Sequence, residues 1–254
     1  MGEKIEAGRH YQIEVATGHV ADAVAQTVFG NVVDVAAATS MLAWQLQIPY
    51  VFQTSAVALE LVSDSVQDAA AGTGARSIIV ITLDADYNEV ITPVVPNGTT
   101  PVPLPGTHLH FNQAIINPAV APGSTFTNVG NITIRTVVGA VAQGYIAAGA
   151  GVSRQALFTV PKGKEFAIQN FFFNHAVIGV TTGGVRFKPF VRFPNGGIIQ
   201  GIWQHLNSNQ VVQITLPVPF ALAEKMTTGY NLDGATTSTG LFASGMTGVL
   251  RTAI

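Results

Sequence analysis

The sequence predicts an all-β protein: two consecutive antiparallel β-sandwich or jelly-roll-like units behind an N-terminal arm. Three observations carry that expectation. From Val51 onward, β-branched and aromatic runs alternate with Gly, Pro, Asn and Asp clusters at intervals of about 10–15 residues, the rhythm of antiparallel domains. The 254 residues suffice for two domains of about 100–150 each. Charged residues make up only 10%, against a usual fraction of about 25%, so the surface is neutral and suited to being covered by partners.

The arm spans residues 1–50. Its Ala- and Val-rich stretch from Gly8 to Gln47 has mixed periodicity, compatible with short helices over Asp22–Val28 or Val35–Gln47, or with an extended strap. Phe29-Gly30-Asn31 reads as a turn, and Ile48-Pro49 disfavours helix before the proline.

The first sandwich is expected over residues 51–138. Val57–Val62 reads as a strand and Gln67–Gly74 as a small-residue loop. Arg76–Leu83 is a β-branched strand, Asp84–Asn88 a turn and Glu89–Val95 the returning strand. Pro96-Asn97-Gly98 makes a tight reversal, and the prolines Pro93 and Pro96 suggest an edge. His108–Ile116 and Asn131–Val138 close the unit. Residues 139–151, rich in Gly and Ala, suit a strand edge or a linker, and the domain boundary is expected there, with the stretch as the linker.

The second sandwich is expected over residues 152–254. Its strands are Ala156–Val160, Glu165–Asn174, Val185–Phe193, Ile198–Leu206, Gln210–Leu216 and Leu241–Leu250. Arg186, Lys188 and Arg192 share one strand parity, and Pro189 breaks that strand or confines it to an edge.

Composition narrows the function. A formal charge of −2 with scattered Lys and Arg offers no field for phosphate neutralisation, so no nucleic-acid partner is expected. Cysteine is absent, which removes disulfides and thiolate metal sites. Met1–Arg9 carries both signs of charge and no apolar run, and no stretch approaches the ~18 uninterrupted apolar residues of a membrane span. Neither secretion nor a membrane partner is expected.

Each motif capable of chemistry has a plainer reading. Asp84-Ala85-Asp86-Tyr87-Asn88 opens like a calcium loop, but Glu89 stands where the tight turn requires Gly and Val95 where a bidentate Glu belongs, so a turn is expected. His108 and His110 fall on one strand face as a metal half-site without further ligands; an exposed or hydrogen-bonded pair is expected. His10, His19, His175 and His205 lie far off in sequence. Gly72-Thr73-Gly74-Ala75-Arg76 precedes a β-run where a phosphate loop needs a helix, so it reads as a flexible hairpin. Ser153, Ser208 and Ser244 lack any nucleophile motif, and the pairs Asp64/Asp68 and Asp84/Asp86 sit in polar stretches with nothing to raise a pKa. No enzyme activity, catalytic residue, metal or cofactor is expected.

The segment Ser63-Asp64-Ser65-Val66-Gln67-Asp68-Ala69-Ala70-Ala71-Gly72-Thr73-Gly74-Ala75-Arg76-Ser77-Ile78 and the following Leu83-Asp84-Ala85-Asp86-Tyr87-Asn88-Glu89 resemble a block of virion structural proteins of tailed bacteriophages. Phe158-Thr159-Val160-Pro161-Lys162-Gly163-Lys164 is similar to a strand opening in the same proteins. The resemblance implies a virion component assembled in the host cytoplasm, without assigning it to head, neck or tail, and carries over no catalytic residue.

The expected function is therefore structural: a capsid decoration or cement protein, a homotrimer bound to the major capsid protein or other virion subunits. A neck or tail adaptor, collar or fibre-base subunit is the alternative. A carbohydrate-binding receptor protein is a third, with Trp44, Tyr87, Trp203 and Tyr230 available to stack on sugars. The expected interface lies on the arm, at Tyr11, Ile13 and Val15, and on the aromatic run Phe171, Phe172 and Phe173.

Overall fold

The computed structural model describes residues 14–15, 17–35, 40–121, 123–177, 185–201, 204–206, 209–234 and 238–253. In chain order the strands are β1 (Ala23–Val35), β2 (Ser40–Leu42), β3 (Leu59–Ser63), β4 (Ile78–Leu83), β5 (Glu89–Val94), β6 (Val102–Pro103), β7 (His110–Ile116), β8 (Ile132–Thr136), β9 (Ala142–Ile146), β10 (Leu157–Thr159), β11 (Lys164–Val177), β12 (Val185–Arg192), β13 (Ile198–Gln200), β14 (Gln204–Leu206), β15 (Gln210–Leu222), β16 (Thr227–Gly234) and β17 (Ser238–Thr252). All described ladders between these strands are antiparallel, so the all-β expectation holds.

Four sheets share two main cores. Sheets β6-β3-β8-β9 and β5-β4-β7 enclose Leu59, Leu61, Ile78, Val80, Ile132 and Ile134, all drawn from the middle of the chain. The alternating burial along β3, β4 and β8 is the period-2 signature of strands with one face on a core. Phe111 reaches the core because Gly144 makes room: a Cβ there would lie 2.4 Å from the ring.

The other two sheets, β1-β17-β11-β15 and β10-β16-β12-β13, with β14 on β12 and β2 on β16, enclose Val28, Phe166, Phe173, Phe187, Tyr230 and Phe242. This core takes residues from both ends of the chain. β1 pairs along its length with β17, from Ala23 opposite Arg251 to Val35 opposite Ser238, and β2 pairs with β16. Helix over Asp22–Val28 is thus overturned: the Val- and Thr-containing stretch becomes a 13-residue strand, because ladder bonds to β17 outweigh a marginal local helix. Within Val35–Gln47, Ser40–Leu42 is a strand as well. The unit formed by β3–β9 is inserted between β2 and β10, where the sequence suggests two units in succession. Of the arm region, residues 1–13 lie outside the described residues. Residues 139–151, expected as the linker between the units, contain β9, an edge strand of the inserted unit.

A seam ties the units together. Asn112 on β7 donates from Nδ2 to the Thr159 carbonyl and accepts the Thr159 amide on Oδ1, both at 2.9 Å, standing in for a backbone pair. Nearby, Trp44, Tyr50, Phe52 and Phe190 follow one another edge to face at centroid distances of 5.4, 5.0 and 6.3 Å. The Trp44 indole donates to the Ile48 carbonyl at 2.8 Å.

Two proline expectations resolve differently. Pro93 does lie on an edge strand, β5. Pro189 does not: β12 is flanked by β16 on one side and by β13 and β14 on the other. The Pro189 carbonyl accepts from Gly201 at 2.7 Å, so its missing N–H falls on that same side, and the neighbouring chain there divides into β14 opposite Val185–Phe187 and β13 opposite Phe190–Arg192.

Candidate assembly surface

Among the described residues, both sheets of the C-terminal core finish at one open end. β15 is an edge strand of its sheet and β13 of the other. On β15, Val212 lies opposite Phe173 and Ile214 opposite Phe171, so their side chains point into the space between the sheets. Phe220, opposite Ile168, shares that side. The opposing sheet contributes Phe190, Val191 and Ile199. Between them runs an apolar groove of about 340 Å³.

Residues lining this groove remain in water although they are apolar: Ile199 is 59% exposed, Phe220 49% and Ile214 37%; Val211, on the outer face of β15, is 73% exposed. Full burial of one such side chain contributes about 1.5–3 kcal/mol, which gives this edge a sizeable capacity for association. The prolines explain why the core stays open. Between Thr215 and Phe220 the β15 register shifts, and the extra residues there include Pro217 and Pro219, which the ladder cannot use. Across the groove, Pro189 sits where the strand beside β12 divides into β14 and β13, while the β12–β16 ladder runs on through it.

Charge is absent from both sides of the groove. From Phe193 through Ala223 there is no Asp, Glu, Lys or Arg. Natural edge strands are usually guarded against pairing by such residues, and β15 carries none across 13 residues.

The expected interface residues separate in the structure. Phe171 lines the groove and Phe173, 2% exposed, forms part of the core beneath it. Phe172 points to the opposite face and stacks on Phe29 at 5.9 Å. Val15 is buried against Ala23 and Val249 of its own chain, while Tyr11 and Ile13 lie outside the described residues. The β15 edge went unnoticed in the sequence; the uncharged run containing Pro217 and Pro219 was the signal for it.

The motif residues serve the fold. Asp68, fully buried, accepts the Ala75 and Val129 amides on Oδ1 and the Gly130 amide and Ser63 hydroxyl on Oδ2, at 2.7–2.9 Å. The glycine-rich loop is thus pinned, where the sequence suggested flexibility, and the amides an external phosphate would need are already engaged. Gly74 is required for this: a Cβ would lie 2.1 Å from Asp68 Oδ1. Asp64 accepts the Asn131 amide and side chain, both at 2.7 Å. The Asp84 carboxylate closes its turn on the Asp86 and Asn88 amides and the Asn88 side chain, with Tyr87 at φ +65°; the Asn88 bond leads in holding its pKa below the usual range. Among the described residues no group of three or more metal-ligating side chains converges.

The histidine pair is buried, not exposed. His108 Nδ1 lies 2.8 Å from Thr82 Oγ1, while His110 packs against Tyr87 at 5.5 Å. Burial, aided by the positive charge of Arg192, pushes the His110 pKa down to about 4, and burial lowers that of His108. Ser153 accepts the Ala114 amide, Ser244 is buried and Ser208 lies outside the described residues. The proposed sugar-stacking set is not assembled: Trp44 and Tyr230 are buried, Tyr87 is half-buried beside His110 and Lys225, and Trp203 lies outside the described residues. A second cleft of about 230 Å³, between β1 and the inserted unit, has a mixed lining, with Phe29, Ile81 and Phe158 beside Gln26, Glu89 and Arg154.

No protein-family model matches the chain, and no curated protein matches it. Among solved structures it is similar to the structure of infectious bursal disease virus Gx strain, with 11% identity over 91% of this chain and 72% of that one, at a TM-score of 0.22. The Gt strain of the same virus gives 10% identity, the same coverage and the same TM-score. Likeness at that level carries no argument about fold or role.

Proposed function

We propose that this chain is a non-enzymatic structural subunit of a tailed-bacteriophage particle that decorates or cements the head lattice by adhering to neighbouring subunits. The observation that carries the reading is the uncharged, apolar rim formed by β15 and β13, with Val211, Ile199 and Phe220 held in water. Such an edge is a liability for a free protein and an asset for one whose neighbours cover it. Repetition over a lattice multiplies modest contacts into firm attachment.

The resemblance of the Ser63–Ile78 and Leu83–Glu89 blocks to phage virion proteins supports the same reading. Asp68 and Asp84 give those blocks a structural reason, because each organises a loop of the fold. We read each pair of sheets around its shared core as a sandwich-like unit. The test is to image particles carrying labelled protein. Uniform coverage of the shell is expected; a single spot at one vertex would assign the chain to the neck or tail, and unlabelled particles would overturn the proposal.

A further inference from the structure

We propose that the β15 edge is a self-association site, where two copies pair antiparallel, β15 against β15, about a twofold axis. The inference rests on the reading of this rim as adhesive and names the partner as a second copy of this chain, a twofold pair in place of the homotrimer expected from the sequence.

The argument comes from what a twofold axis demands. An isologous contact places a strand against itself, so any charge on it meets the same charge on the partner or a near neighbour. β15 satisfies this condition along its whole length, and the uncharged run from Phe193 to Ala223 extends it to β13 on the opposing sheet. The other free edge of the same sheet, β1, carries Asp34. Within β15, Val211–Thr215 keeps a regular register with β11 and contains no proline, so its outer N–H and C=O groups can form a ladder. Beyond Thr215, Pro217 and Pro219 end that ladder, which limits pairing to this short segment.

Pairing there joins two sheets into one running β1-β17-β11-β15 and back through the partner. The apolar row of Val212 and Ile214 then continues into the partner's row, each covering the open end of the other's groove. Both sheets of the C-terminal core finish at this end, so one contact protects the lips of both.

The absence of native cysteine makes the test clean. The mass of the full chain is measured by light scattering, and single cysteines are introduced in turn from Val211→Cys to Thr215→Cys. A wild-type dimer is expected, with disulfide-linked dimer peaking at one position of the scan, the one nearest the axis. The double variant Val211→Lys/Gln213→Lys is expected to halve the mass with its circular dichroism unchanged. Val138→Lys, on the inserted unit and 88% exposed in the wild type, is expected to leave the mass unchanged.

A wild-type monomer, a trimer, or a dimer indifferent to the lysine pair would overturn the inference. A monomer that binds lipid vesicles or only the particle lattice would overturn it by identifying another occupant. The two proposals fail separately: a monomer that still coats particles sinks the pairing alone, and a dimer that never joins particles sinks the virion reading alone.

Discussion

Asn112 and Thr159, on strands of different units, exchange two hydrogen bonds of 2.9 Å through one buried side-chain amide. The carboxamide supplies both a donor and an acceptor, as a peptide group does, so β7 is joined to β10 without a continuous sheet.

Replacing Asn112 with alanine leaves the Thr159 amide and carbonyl buried without those partners. A loss of about 2–4 kcal/mol is expected, read by urea denaturation. Aspartate is expected to be at least as harmful, since it cannot donate to the carbonyl. A change within about 0.5 kcal/mol for alanine would show that the seam does not depend on this pair.

Asp68→Asn tests the organisation of the glycine-rich loop. Two oxygens now receive four donors; in the amide, one oxygen becomes an NH₂ facing donors. Destabilisation of about 3 kcal/mol is expected, together with faster hydrogen exchange at Ala75 and Gly130. Unaltered exchange at both amides would refute the pinned loop.

Acid should weaken the fold through His110. Its folded pKa of about 4 lies below the ordinary 6.5, so the unfolded chain binds the proton first as pH falls. Stability is full above about 6.5 and declines towards pH 4, by about 3 kcal/mol from this residue. Denaturation midpoints at a series of pH values provide the check, and His110→Gln should flatten part of the slope. An equally steep slope in that variant would assign the effect to other groups.

Gly144→Ala should disturb the inserted unit while leaving the C-terminal core intact. Its Cβ would sit 2.4 Å from the Phe111 ring, a clash costing about 1–3 kcal/mol by displacement of the side chain. Phe111→Leu in the same background should recover part of the loss. Failure of the smaller side chain to help would mean that the strain is taken up elsewhere.

A chain beginning at Glu14 retains Val15, which packs on Ala23 and Val249. Its melting temperature is expected to equal that of the full chain, with particle attachment lost if the segment Met1–Ile13 is adhesive. Undiminished attachment would assign the adhesion wholly to other surfaces.

Much of this architecture was readable because its causes are local. Alternation in Leu59–Ser63 and Ile78–Leu83, the side chain of Asp84 closing its own turn, and Gly98 at φ +58° each depend on residues within a few positions. β16 escaped notice because Thr227–Gly234 is polar and glycine-rich. It becomes a central strand only through its neighbours, with Gly229 admitting the Phe190 ring and Tyr230 buried between the sheets. The aromatic run Phe171–Phe173 was visible, but its division between groove, outer face and core follows from which strands flank β11.

By itself, then, the amino-acid sequence determined an antiparallel β protein with few charges, no cysteine and loops set by Asp, Asn and Gly. The tertiary structure decided that Ala23 meets Arg251, that the middle of the chain is an insertion, that Asp68 is a buried hub, and that β15 is left at an edge. Strand formation and turn closure draw on neighbours in sequence, whereas strand partners and exposed edges depend on competition among distant segments for the same ladders and the same core.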